Sequence, residues 1–342
     1  MVKIMKIVIM GPVTSKSYFG GVAIFDENLA LAFKKLGQRV IIVTNQSDKL
    51  KNKSVDTIYK DSIHTVEFVN SYVPDLVIAS LTYVKYLPVI KSKYKIYYLH
   101  GFFNMSYYGQ IKSILGITYQ KLFLMNNIKV IANSALTKII NENIFNLRVD
   151  KTIYIGVSDF FVNYARKENE SEAKKENIIL YAGRLVKAKN VDKIIEAFKR
   201  CKIDATLVIA GDGEEKEKLI KLSRGAKNIK FTGQLAQNEL LEYYKKAKTF
   251  ISLNPTEPYG MSYAEALLLK DNIISPNSGG QVEYLKKYKD HVEFVDIDNI
   301  KNISNAMARM MQKDNIEKLT EKDFYDFSYD RTAEEILQGL KN

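Results

Sequence analysis

Apolar residues along this chain fall into short runs separated by stretches of helical spacing, and the alternation recurs through most of its length. Residues 6–10 (Lys-Ile-Val-Ile-Met) read as a buried strand. From 22 to 36, Val22, Phe25, Leu29, Ala32 and Leu36 return near the helical period, and Gly37 stands where a helix would be capped. The next apolar run covers 39–44, so the chain opens as strand, helix, strand. Further strands are expected at 75–80, 95–99 and 130–132, the last closing a first sheet. A second series follows at 178–182, 205–210, 229–232, 249–253, 272–275 and 292–295. Its helices open near Val191, Glu214, Gln237, Met261, Gln281 and Asp298. Strands alternating with helices at this spacing form parallel sheets covered on both faces.

Between the two series, 163–177 is rich in Arg, Lys and Glu and almost free of apolar residues, the pattern of a linker. The chain thus divides into a Rossmann-like domain over 1–162, a linker over 163–177, a second such domain over 178–325, and a tail over 326–342 that turns helical after Ser328. Its 342 residues suffice for two cores. The single cysteine, Cys201, excludes a disulfide framework and fits a reducing compartment. Three histidines without cysteine partners argue against structural zinc. The first apolar run is too short for a secretion signal, and no run reaches the length of a membrane span. The expectation is a cytoplasmic protein, at most peripheral at the inner face of a membrane.

Charge changes this picture. Residues 1–160 hold 20 Lys and Arg against 10 Asp and Glu, whereas the remainder holds 31 against 29. The first half is therefore the basic one, suited to an anionic substrate or lipid surface. No nucleic-acid signature accompanies it, so a nucleic-acid partner is not expected. Lys85, Lys91, Lys93 and Lys95 interleave with Tyr83, Tyr86, Tyr94, Tyr97 and Tyr98, and Tyr107, Tyr108, Ile111, Ile114 and Leu115 follow. Basic residues beside rings suit a membrane interface, though part of this set must be core.

Candidate chemistry gathers at 257–265. Gly260 precedes a helix opening at Met261, and free amides at a helix start attract phosphate. Glu257 lies just before that start and Glu265 inside the helix, where carboxylates could accept paired hydroxyls of a sugar and a ribose. Arg184 and Lys189 occupy a strand-to-helix turn, with Lys187 competing for the second cationic place. His100 ends a strand, where open α/β sheets bind ligands. Gly20-Gly21 opens the first helix. No G-x-G-x-x-G follows the first strand and no P-loop motif occurs, which disfavours a nicotinamide dehydrogenase and a P-loop nucleotidase.

Glu-Pro-Tyr-Gly followed four residues later by Glu265 resembles the E-x7-E signature of the retaining glycosyltransferases of family 4. Gly211-Asp212-Gly213, Gly279-Gly280-x-x-Glu283 and the segment ending in Gln234-Leu235 also resemble that family, strongly over the second domain and in outline over the first. Asn190 stands where the family usually has Gly. The resemblance implies a GT-B fold: two Rossmann-like domains facing a cleft, with the last helix crossing back to the first. It implies that Glu257 and His100 contact the donor sugar and that Arg184 and Lys189 clamp its diphosphate. Gly260, Met261 and Ser262 would present amides to sugar and diphosphate, and Glu265 would take the ribose hydroxyls. Gly20 and Gly21 would lie near the phosphates, and Gly211, Gln234 and Leu235 would border the nucleotide. The implied activity is retaining, metal-independent hexosyl transfer from a nucleoside-diphosphate sugar, UDP-linked by family weight, without a cofactor. The acceptor would be a glycan, glycolipid or protein. A non-catalytic GT-B partner subunit and a GT-B nucleotide-sugar epimerase are the alternatives.

Overall fold

The computed structural model describes residues 4–14, 20–46, 55–103, 109–171 and 175–340. The chain forms two compact units, Met1–Asp159 with Tyr325–Asn342 and Phe160–Phe324.

The first unit is built on seven parallel strands: β1 (Lys6–Met10), β2 (Arg39–Thr44), β3 (Asp56–Tyr59), β4 (Leu76–Ser80), β5 (Tyr94–Leu99), β6 (Lys129–Ala132) and β7 (Lys151–Thr152). Their order is β3-β2-β1-β4-β5-β6-β7. β1 is central, with Ile9 opposite Ile42 on one side and Ile78 on the other. Ile7 to Met10 are all fully buried, the reason that run shows no polar alternation. The order reverses between β1 and β4, which opens a crevice at their carboxyl ends. The helix Gly21–Lys35 buries Phe25, Leu29 and Ala32, as its spacing predicts, and Ala30 and Phe33 besides, while Val22 and Leu36 stay half-buried.

One expectation fails at the sheet edges. β6 does not close the sheet, because β7 pairs beyond it, and β3 extends the opposite edge. β7 has two residues and β3 is mostly half-exposed, so neither carries enough apolar signal to stand out. The tyrosines offered as interfacial rings are also largely core: Tyr83, Tyr86, Tyr97 and Tyr98 are buried. Tyr107 and Tyr108 lie outside the described residues. What this stretch exposes is aliphatic, namely Ile111, Ile114, Leu115 and Leu122 on the helix Gln110–Phe123.

The last helix, Tyr329–Gln338, belongs to the first unit and packs on Gly21–Lys35. Val157 donates its amide to the Phe327 carbonyl at 2.7 Å, and Arg331 and Thr332 both donate to the Tyr154 carbonyl at 2.9 Å.

The second unit has six parallel strands: β8 (Glu176–Ala182), β9 (Thr206–Ala210), β10 (Ile229–Gly233), β11 (Ala247–Ile251), β12 (Asn272–Pro276) and β13 (Val292–Val295). Their order is β10-β9-β8-β11-β12-β13. Ile179, Tyr181, Leu207, Ile209, Ile251 and Ile274 from the strands pack with Ile194, Phe198 and Met307 from the helices. Residues 163–177 begin inside the helix Asp159–Lys167 and end in β8. Within them Asn169 is buried and brackets Leu319 with two hydrogen bonds. Lys175 is buried too, its ammonium 2.5 Å from Asp271 and bonded to the carbonyls of Tyr244 and Leu269. Asn169 and Lys175 thus have partners that offset their desolvation. Both units present a crevice at the carboxyl ends of their strands.

A charged helix start in the second unit

β11 ends at Ile251 and the chain turns through Asn254, Thr256 and Glu257 before the helix Met261–Leu268. Gly260 caps that helix with a left-handed backbone, φ 87°. A Cβ there would lie 2.8 Å from Tyr263 and 3.1 Å from Gln281, so both conformation and space demand glycine. The first amides, of Met261 and Ser262, precede any helical carbonyl that could accept them. Tyr284 anchors the turn by donating to the Gly260 carbonyl at 2.7 Å, and Gly280 donates its amide to the Glu257 carbonyl at 2.7 Å.

Glu257 meets Lys189 here. The Lys189 ammonium is 2.5 Å from Glu257 Oε2, and Asn254 donates to the same oxygen at 3.0 Å. Burial works to raise the Glu257 carboxyl, but Lys189, Asn254 and the Arg184 guanidinium outweigh it and hold the group below the ordinary value. Glu257 is therefore ionised at neutral pH. Lys189, rather than Lys187, is the lysine that reaches it. Arg184 is solvent-exposed, its charge still felt at Glu257.

Glu265 has a different environment. Burial pushes its carboxyl up to about 7, against the opposing effect of a 3.0 Å hydrogen bond donated by Tyr244. The same hydroxyl lies 3.3 Å from the Ser262 carbonyl. Glu257 and Glu265 thus titrate apart, one held ionised by cations and one poised near neutrality.

The neighbouring loops complete the site. The Gly183 amide donates to Ala210 and the Leu185 amide to Asp212, zipping the turn that bears Arg184 to the turn after β9. A Cβ on Gly211 would lie 1.9 Å from the Gly183 carbonyl oxygen, so the two turns can stack only with glycine there. Gln234 and Leu235 follow β10, whose last residue Gly233 accepts the Gly211 amide at 2.8 Å. Arg184, Lys189, Gly211, Gln234, Leu235, Glu257, Gly260, Met261, Ser262 and Glu265 therefore all lie at the carboxyl ends of the adjacent strands β10, β9, β8 and β11.

The first-unit residues sit apart in sequence but equivalently in their own sheet. Gly20 and Gly21 open the helix after β1, and His100 follows β5. Burial pushes the His100 imidazole down to about 3, so it is neutral at physiological pH. Asn133 and Asn141 donate to the carbonyls of His100 and Gly101 and fix this turn. Sequence reasoning missed Asn254 and Tyr244. Asn254 carried a signal, standing three residues before Glu257; Tyr244 looked like any core aromatic. Among the described residues no three His, Cys, Asp or Glu side chains gather as a metal site would require.

Residues 164–324 match the family described as Glycosyl transferases group 1. An uncharacterized glycosyltransferase of Methanocaldococcus jannaschii is 26% identical over 219 residues, covering 58% of this chain and 56% of that protein. The N-acetylgalactosamine-N,N'-diacetylbacillosaminyl-diphospho-undecaprenol 4-alpha-N-acetylgalactosaminyltransferase of Campylobacter jejuni is 27% identical over 158 residues, covering 46% and 43%. The matched stretches thus take in about half the length of these curated relatives. Anabaena HepE, solved in complex with UDP and glucose, superposes with a TM-score of 0.74 at 16% identity over 99% of this chain and 100% of that one. Matched residues and strand-end chemistry coincide: the second unit carries a glycosyl transferases group 1 domain, in a chain with the GT-B fold.

Proposed function

We propose that this protein is a retaining, metal-independent glycosyltransferase that moves a hexosyl residue from a UDP-sugar to an acceptor hydroxyl in bacterial cell-envelope glycan synthesis. The observation that carries the reading is the Lys189–Glu257 contact beside the open amides of Met261 and Ser262, with Arg184 close enough to act on the same carboxylate. The bond from the anomeric carbon to the diphosphate oxygen breaks, and a bond to the acceptor oxygen forms on the same face. The acceptor proton passes to the departing phosphate oxygen, which explains why no separate general base is needed. Negative charge growing on the leaving group meets Arg184, Lys189 and the helix-start amides. An ammonium has three donors, so Lys189 can keep Glu257 while donating to phosphate. Glu257, held ionised, orients the sugar hydroxyls and stabilises positive charge developing at the anomeric centre. Glu265 accepts the ribose hydroxyls, the loop of Gln234 and Leu235 borders the base with Gly211, and His100 contacts the sugar, with Gly20 and Gly21 near the phosphates.

A melting screen against UDP, GDP, ADP and their sugars tests the donor, since a ligand bound to the native state alone raises the midpoint by mass action. The expected result is a rise with UDP and a UDP-hexose, followed by transfer of labelled sugar to a polyprenyl-diphosphate glycan or glycolipid. Donor turnover without acceptor would instead mark an epimerase; binding with no turnover would mark a partner subunit.

The acceptor side of the reading is a lipid-linked glycan at the inner face of a membrane. It is supported by the basic first half and by Ile111, Ile114, Leu115 and Leu122, exposed on one helix together with Lys112 and Lys121. The name of the Campylobacter relative, which includes diphospho-undecaprenol, points the same way. Among the described residues no helix is long and apolar enough to cross a membrane. Flotation with anionic vesicles should carry the protein upward, and the double substitution of Ile114 and Leu115 by Glu should abolish it.

A further inference from the structure

At the carboxyl ends of β1, β4 and β5, His100 is one member of a three-residue chain whose other members the reaction above leaves unused. Asp26 comes from the helix Gly21–Lys35 and is fully buried, as is Ser80 at the end of β4. Ser80 Oγ donates to Asp26 Oδ1 at 2.7 Å, and the same Oγ lies 2.9 Å from His100 Nε2. Asp26 Oδ2 has no partner among the described residues; it fills the space over Gly11, where a Cβ would stand 1.9 Å away. Phe25 meets the imidazole edge-on at 4.7 Å between centroids, and Tyr98 lies at 5.1 Å. His100 Nδ1 has no hydrogen-bond partner among the described residues.

A hydroxyl has one proton to give. If Ser80 gives it to Asp26, Ser80 can only accept from His100, and the single proton of the neutral ring must then sit on Nε2. We infer that Asp26, acting through Ser80, locks His100 in its Nε2–H tautomer, so that Nδ1 is presented as an acceptor for a ligand hydroxyl. Burial raises the Asp26 carboxyl well above its ordinary range, and a proton on the unpaired Oδ2 leaves Oδ1 free to accept, so the direction of the chain survives either charge state. The lone pair has a consequence for specificity. It welcomes a sugar O–H and repels a phosphate oxygen, so His100 addresses the sugar of a nucleotide sugar and not its diphosphate. Asp26 and Ser80 are positioning residues in this scheme. Its ligand rests on the proposed transfer reaction; the tautomer does not.

The test reads the tautomer directly, from long-range nitrogen–proton correlations of ring-labelled protein without ligand. The chain has three histidines, and His100→Gln identifies the signal. Wild type should show Nε2–H alone. Ser80→Ala should lose the preference, and Asp26→Leu should turn the Ser80 proton toward the ring and favour Nδ1–H. Should Asp26→Leu fail to fold, Ser80→Ala decides by itself, since it removes one buried oxygen. A wild-type ring protonated on Nδ1, or a tautomer unmoved in Ser80→Ala, overturns the inference. With UDP-hexose, Ser80→Ala should raise KM about fivefold, the loss of one hydrogen bond, while the Kd for UDP stays unchanged. Absence of transfer by the wild type would refute the reaction and leave the tautomer measurement standing.

Discussion

The two units share one architecture and differ in what they place at the ends of their strands. In the second, Arg184, Lys189 and Glu257 put full charges beside an open helix start, and Lys175 with Asp271 forms a further buried pair at the amino ends of β8 and β12. In the first, the equivalent crevice holds a neutral histidine, a serine and a carboxyl displaced from its ordinary range by burial. A parallel sheet supplies a crevice without specifying its chemistry; under the proposed reaction, a few side chains at strand ends suit one to an anion and the other to a hydroxyl. From that contrast, charge-removing substitutions should act on the second unit, and the largest should act on its folding.

Lys175→Met tests this first. It strands Asp271, whose Oδ2 already lacks a partner among the described residues. Breaking a buried pair costs about 3–5 kcal/mol, and the lower end applies because Asp271, pushed up to about 7, can take a proton. Denaturant melts should show that loss, and an unmoved midpoint would mean the pair is not buried as described. Glu257→Ala comes next. Removing a preorganised electrostatic contact should cut transfer on the order of 10²–10³-fold while leaving UDP affinity nearly intact. Equal loss of both would contradict its place at the sugar. Arg184→Met should do the reverse, weakening UDP binding about tenfold through loss of a charge-assisted contact to phosphate. Isothermal titration separates the two variants.

A smaller effect reads the poised carboxyls. Glu265 and Asp271 are both raised to about 7, so the native state keeps protons that the unfolded chain has released above about 4.5. The native state thus binds more protons between those values, and stability falls as pH climbs from about 5 to about 8. UDP affinity should move oppositely, rising about tenfold from pH 6 to 8 as Glu265 ionises and becomes the better acceptor. Glu265→Gln should flatten the affinity profile. A flat profile in the wild type would remove Glu265 from the ribose.

Much of this was legible in the sequence because its cause is local. Strands buried on both faces announce themselves as unbroken apolar runs, and the Gly260 turn is recorded by the one residue that tolerates it. What was hidden depends on contacts distant in sequence. β3 and β7 exist because neighbours pair with them, and residues 163–177 read as a solvated connection although Asn169 finds partners 101 and 150 positions away and Lys175 finds its own well downstream. Lys175 illustrates this well, since its carbonyl and carboxylate acceptors come from 69 to 96 residues downstream. Asp26 did leave a trace: it falls on the same helical face as Val22 and Leu29, where an acid is out of place.

The smallest effect concerns how the cations are aimed. Asn190 follows Lys189 with a left-handed backbone, φ 51°, and donates from Nδ2 to the Leu253 carbonyl at 2.8 Å. That bond ties the loop of Arg184 and Lys189 to the chain just past β11. Asn190→Gly keeps the backbone conformation and loses the bond, which should cost about 1 kcal/mol and weaken UDP binding a few-fold. Asn190→Ala loses the bond and adds left-handed strain of about 1 kcal/mol, so it should melt lower than the glycine variant. If glycine instead matched asparagine in both melting and affinity, the side chain would contribute nothing and only backbone freedom would matter at this position. The charged crevice would then be aimed by its turns alone, whereas the neutral crevice of the first unit depends on the side-chain hydrogen bonds of Asn133, Asn141 and Ser80.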